Sequence, residues 1–186
     1  MEKIAAAALG RGGPFLPVER VAAPIRFVRG LDAFNAQMGR WHDVQLLLRR
    51  LPLVSPVARF RITSPFGNRR DPINGHRAYH SGLDLAAPIN GKVRATAPGR
   101  VVRAGWRGRY GRLVEIDHGM GIRTRYGHLA KILVKPGERI TFRHPVGLLG
   151  NSGRSTGPHL HYEVVVDGKP VDPKKFLRAG KHVFEG

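Results

Sequence analysis

Gly157-Pro158-His159-Leu160-His161-Tyr162-Glu163-Val164 opens a β-strand over 160–166, and the chain then runs into Asp167-Gly168. Asp-Gly is a two-residue hairpin turn of the kind that accepts positive φ. Side chains alternate along a strand, so His159 and His161 share one face while Leu160 and Tyr162 take the other. Two imidazoles on one face, beside a glycine-containing loop, suit a metal cleft. The competing reading is a pair of packed or exposed histidines.

Outward from that strand the texture repeats. Segments 59–64, 92–97, 100–104, 112–117 and 122–126 read as short strands. Gly, Pro and Asn turns separate them at intervals of about ten residues. Asp117-His118-Gly119-Met120-Gly121 is a hairpin tip. No long second helix is expected after residue 55. The pattern is mainly β: an antiparallel curved sheet or partial barrel spanning 55–186. Upstream, Leu31, Phe34, Met38, Trp41, Gln45 and Leu48 keep a 3–4 spacing. That predicts one amphipathic helix near 31–51, capped by Asp32 and stopped by Pro52. Residues 1–54 are therefore an N-terminal helical extension, packed on the main domain or on upstream or partner helices.

Composition narrows the classes. The 186 residues include 24 Gly and 14 Pro, which disfavours an all-helical bundle. No Cys is present, so disulfide scaffolds, thiolate-bound zinc and thiol catalysis fall away. No apolar run approaches the roughly 20 residues of a membrane span. Ile4–Leu9 is apolar but shorter than a secretory h-region, and Arg11 interrupts it, so no signal peptide is read. Lys and Arg number 32 against 13 Asp and Glu, a net charge of +19. Such a surface attracts polyanions, including nucleic acid, anionic lipid and an anionic cell wall.

The chemistry lies in three segments. His80-Ser81-Gly82-Leu83-Asp84 sets an imidazole and a carboxylate an even number of residues apart, on one face of extended chain. Gly82 between them leaves room for an ion or substrate. Thr124-Arg125-Tyr126-Gly127-His128-Leu129 ends a strand on His128. The third segment holds His159 and His161. Each alone is weak or moderate evidence. His42, His76, His118, His144 and His182 stand apart and read as surface or packing residues.

Together, in this order, the three resemble the lysostaphin-like (LytM-type) zinc metallopeptidases, peptidase family M23. Their motifs are His-x-x-x-Asp, Tyr-x-His-Leu and Gly-Pro-His-x-His-Tyr/Phe-Glu. Ser64-Pro65-Phe66-Gly67, Arg70-Asp71-Pro72 and Gly147-Leu148-Leu149-Gly150 add to the likeness, which covers about 62–178. Arg143-His144-Pro145 departs from the family pattern at a turn.

The resemblance implies one Zn2+ per chain held by His80, Asp84 and His161, with an open position for water. It implies His159 as general base and His128 as the group that orients the water or donates to the oxyanion; the two roles are interchangeable at this level. It implies attack by zinc-activated water on peptide cross-links of bacterial peptidoglycan, with the D-alanyl bond favoured. Stem peptides would be the partner, a wall or envelope regulator a further one, and the periplasm or cell envelope the location.

Two other classes compete. A catalytically silent wall-binding or amidase-activating module of the same fold would hold no zinc. A basic nucleic-acid-binding β domain would need aromatics interleaved with basic residues on one sheet face. Aromatics are 8% of the chain and form no such stripe, so no specific nucleic acid is expected.

Overall fold

A computed structural model describes residues 25–71 and 75–184. The expectations for residues 1–24 lie outside the described residues. Helix α1 spans Ile25–Arg50, six residues longer at its start than the periodicity predicts. Asp32 is consequently inside the helix and not its cap. The reason is in the spacing: Ile25 and Val28 extend the same 3–4 repeat backwards. Pro52 follows the end as expected. The boundary between the two compact units of the chain falls between Val44 and Gln45, within this helix.

Among the described residues the second unit has twelve strands: β1 Arg61–Ser64, β2 Gly67–Arg70, β3 Arg77–His80, β4 Leu83–Ala86, β5 Lys92–Arg94, β6 Gly99–Trp106, β7 Arg112–Gly119, β8 Ile122–Ile132, β9 Arg139–Ile140, β10 Pro145–Leu149, β11 Leu160–Val166 and β12 Lys169–Val171. Ten form one antiparallel sheet with the path β1-β4-β11-β8-β7-β6-β9. Strand β12 pairs β11, and β10 bridges β5 and β8. β2 and β3 make a separate two-stranded sheet. The sheet is open, as the curved-sheet expectation allows.

Both expected hairpins form. Asp167 and Gly168 have φ of 48° and 78°, and Met120 and Gly121 have φ of 56° and 73°. Positive φ at both central residues matches the twist of the flanking strands. The core lies against one sheet face, around Leu85, Val93, Val114, Ile116, Leu129, Leu149 and Leu160, with Tyr126 and Tyr162 buried among them.

One expectation is overturned. A second helix, α2, spans Pro173–Phe184. Asp172 starts it: its Oδ1 accepts from the Lys174 N–H at 2.9 Å, and Pro173 takes the first helical position, where no N–H is needed. Phe176 and Leu177 pack on the core. Gly180 breaks the apparent periodicity for a packing reason, since a Cβ there would collide with the Leu53 carbonyl.

Candidate metal centre

The middle of the sheet is a row of three strands, β4, β11 and β8. Asp84 lies directly opposite His161, and His161 directly opposite Gly127. Residues opposite one another in an antiparallel pair project to the same face. Asp84 and His161 are therefore neighbours by register, although 77 residues separate them in the chain.

His80 arrives differently. It ends β3, in the small sheet, while Asp84 is in β4, so 80–84 is not one extended segment. The chain bends at Ser81-Gly82 and brings the two side chains together. Nor does Gly82 make room for an ion: a Cβ there would strike the Tyr162 carbonyl. The glycine lets β11 pass close by.

His128 depends on a bulge. Between the pairs Val114↔Tyr126 and Arg112↔Leu129 one residue of β7 faces two of β8. His128 takes up the irregularity at φ 60°, a left-handed conformation uncommon outside glycine. Tyr126 and His128, which simple alternation puts on one face, are separated by this irregularity. Tyr126 is fully buried, and its hydroxyl meets Thr96 and Thr124. His128 reaches the cleft.

The nitrogens are assigned by their partners, because a carbonyl oxygen can only accept. His80 Nδ1–H donates to the Pro65 carbonyl at 2.7 Å. His128 Nδ1–H donates to the Ser152 carbonyl at 2.7 Å. His159 Nδ1–H donates to the Gly157 carbonyl at 2.7 Å. His161 Nε2–H donates to Glu163 at 2.9 Å. Each imidazole thus turns its other nitrogen toward the cleft.

Three of the inward atoms form a tight set. His80 Nε2 lies 3.1 Å from Asp84 Oδ1 and 3.1 Å from His161 Nδ1, and His161 Nδ1 lies 2.9 Å from Asp84 Oδ1. With the outer nitrogens committed as donors, two neutral imidazoles would aim lone pairs at each other beside a carboxylate. A proton on one ring or a bound metal cation reconciles them. Two His and one Asp, with ligand atoms this close, can hold one metal ion. His159 Nε2 is 3.6 Å from the same Asp84 oxygen, and the His128 ring packs edge-on to His159 with centroids 4.8 Å apart.

The electrostatics agree. Burial would raise Asp84, but hydrogen bonds from His161 and His80 outweigh it and hold the carboxyl well below its usual range. Burial would lower His161, yet Asp84 and Glu163 on either side push it up to about 9. The same pair of carboxylates would attract a metal cation, which would have to displace that proton. Burial lowers His128 to about 4, helped by its histidine neighbours, so it is neutral at pH 7.

Behind His161 lies a set of residues that sequence reading identifies only in part. Glu163, fully buried, accepts from His161, Tyr110, Arg125 and Ser81. The sequence allows Glu163 either as an orienting partner of His161 or in a strand salt bridge with an arginine; it makes both contacts. Arg125 stands opposite Glu163 on one side and Glu115 on the other, a charged row across β7, β8 and β11 visible only once the register is known. Tyr110 and Ser81 belong to no motif. Of the loop residues 151–156, Ser152 supplies a carbonyl to His128, and the Ser155 hydroxyl lies 3.2 Å from His159 Nδ1.

An open antiparallel sheet thus carries a His–Asp–His cluster that could hold one metal ion, with two further imidazoles in the same cleft of about 290 Å3. The family model described as peptidase family M23 matches residues 78–173, and the chain belongs to that family. The peptidoglycan DD-endopeptidase ShyA of Vibrio cholerae is 41% identical over 157 residues, 80% of this chain and 36% of the relative. The DD-carboxypeptidase/endopeptidase Mpg of Neisseria meningitidis is 42% identical over 120 residues, 64% of this chain and 28% of the relative. The chain thus spans about a third of the length of these curated relatives. Among solved structures, a zinc-containing peptidase from Vibrio cholerae superposes with a TM-score of 0.60 at 40% identity, covering 63% of this chain and 37% of that one. The catalytic domain of lysostaphin from Staphylococcus simulans gives 0.59 at 31% identity, covering 64% and 92%.

Proposed function

We propose that the chain is a zinc-dependent endopeptidase that hydrolyses peptide cross-links of peptidoglycan, with the D-alanyl cross-link as the bond cut. Relatives named as DD-endopeptidases support the substrate. The observation that carries the reading is the set of inward nitrogens: two beside Asp84 form the ion site, and two more border it.

His80 Nε2, Asp84 Oδ1 and His161 Nδ1 would hold the zinc. When bound it supplies a Lewis acid that polarises a carbonyl and makes water acidic near neutral pH. The remaining steps belong to the side chains. His159 keeps Nδ1–H on the Gly157 carbonyl, so its Nε2 lone pair faces the cleft and accepts the proton of the attacking water. It can return that proton to the leaving amine. His128 is held neutral with Nδ1–H on Ser152, so its Nε2 is an acceptor that orients the water. With its pKa lowered to about 4 it is a poor proton acceptor, which leaves the role of first base to His159. Glu163 fixes His161 in the tautomer that presents Nδ1.

The excess of basic charge would draw the chain to an anionic wall in a salt-dependent way. A periplasmic or envelope location follows from that substrate. Among the described residues no helix is long and apolar enough to cross a membrane. The test is incubation of the purified chain on cross-linked muropeptides, with and without chelator, with products identified by mass. Chelator-sensitive conversion of dimers to monomers is expected. Unchanged dimers in the presence of added zinc would overturn the proposal.

A further inference from the structure

The cleft that holds the histidines also holds charge that the mechanism does not use. Three arginines line it, Arg69, Arg109 and Arg154, against two carboxylates, Asp71 and Asp84. Two of the arginines are engaged. Arg154 grips Asp71 with both terminal nitrogens, at 2.7 and 2.8 Å. Arg69 leans toward the outer oxygen of Asp84 at 3.7 Å. Arg109 makes no ion pair with any described residue, and its side chain is exposed at the cleft.

The backbone around Arg109 is held in place. Its carbonyl accepts from the Arg154 N–H at 2.8 Å. The next residue, Tyr110, donates to Glu163 at 2.9 Å, behind the metal-binding histidine. Gly111 lies so close to the Ser152–Gly153 backbone that a Cβ would not fit. A guanidinium on a fixed backbone, at a cleft whose positive charge a divalent ion would increase, suits a planar anion.

We propose that Arg109 is a specificity-determining residue that binds a carboxylate of the substrate peptide flanking the bond to be cut. The inference rests on the endopeptidase reading. It adds that the substrate is acidic beside the scissile bond and that Arg109 reads that acid. A charge-assisted, fork-like contact at a half-open site gives a preference of about tenfold over the uncharged isostere.

The test uses two cross-linked peptides that differ only in a free carboxylate or a carboxamide beside the cross-link. The wild-type chain with zinc should cut the carboxylate form with a kcat/KM about tenfold higher, mainly through KM. R109Q should bring the ratio of the two substrates close to one. R100Q, on β6 and outside the cleft lining, should keep the wild-type ratio. Binding of the two peptides to the chelated, metal-free protein should show the same dependence on Arg109. If the wild type cuts both peptides equally, or R109Q retains the preference, the inference is overturned while the endopeptidase reading stands. If the wild type cuts neither, the endopeptidase reading fails first.

Discussion

Histidines are buried in two places, in the cleft and at His118 on β7, and burial does not tell the two apart. His80, His128 and His161 are 6–7% exposed, and His118 is 4% exposed. The difference is in what each ring does with its second nitrogen. His118 donates Nδ1–H to the Pro98 carbonyl at 2.7 Å, and its Nε2 accepts from the Thr124 hydroxyl at 2.8 Å. The hydroxyls of Tyr126, Thr96 and Tyr162 continue that chain through the core. Both nitrogens of the His118 ring are taken up within it. In the cleft each histidine uses one nitrogen as a donor to the fold and turns the other toward a common point. The structural histidine has both nitrogens taken up by the fold; these four present the second nitrogen to the cleft.

The contrast breaks most sharply if the cleft cluster proves self-sufficient. Replacing His80 or His161 by Ala should remove the ion and all peptidase activity together, measured as metal content per chain by elemental mass spectrometry and as muropeptide turnover. A variant that keeps one ion per chain would mean the ligand set is wrong. His159→Ala should lower the rate by roughly two to four orders of magnitude while metal content stays near one, because only the proton acceptor is lost. His128→Ala should fall in the same direction. If His159→Ala instead loses its metal, ligand and base have been confused.

A smaller effect is expected one residue further out. Glu163→Gln keeps an acceptor for His161 Nε2–H but removes the charge that makes the imidazole a stronger ligand. Metal affinity should fall about 10–100-fold, read by competition with a chromophoric chelator. Unchanged affinity would reduce Glu163 to the strand salt bridge with Arg125.

The difference between the two places also explains what the sequence could show. His80, Asp84, His128, His159 and His161 stand in three short motifs, and the family resemblance those motifs carry is what groups them. The physical routes by which they meet were not legible. His80 and Asp84 converge through a bend between two sheets, and His128 turns through a bulge at φ 60°, where simple alternation predicts neither. Tyr110, Ser81 and Arg125 have no local signature, because they reach Glu163 only through the tertiary fold, Arg125 by strand register and the other two from segments outside the strands. The hairpins at 120–121 and 167–168 were readable, since Gly in a two-residue turn is a local signal. Helix α2 was missed because Gly180 interrupts its pattern, although Asp172-Pro173 is a sound start signal. His118, which the sequence allows as a surface or a packing residue, is buried.

The smallest expected effect tests that last assignment. His118→Ala should leave metal content and turnover unchanged, yet weaken the fold, because the Pro98 carbonyl and the Thr124 hydroxyl lose their partner. The loss should be about 1–3 kcal/mol at pH 7.5, measured by denaturant unfolding. Its pH dependence has a definite sign. Burial lowers the His118 pKa from its ordinary value of 6.5, against a weaker opposing pull from Pro98. Below that value the unfolded chain takes up a proton that native His118 refuses, so the stability His118 contributes is complete above it and declines as pH falls. One proton changes stability by at most about 1.4 kcal/mol per pH unit. The gap between wild type and His118→Ala should therefore be wider at pH 7.5 than at pH 5.5. A gap that widens toward acid would mean that His118 is charged in the folded protein and donates to the Thr124 hydroxyl instead of accepting from it.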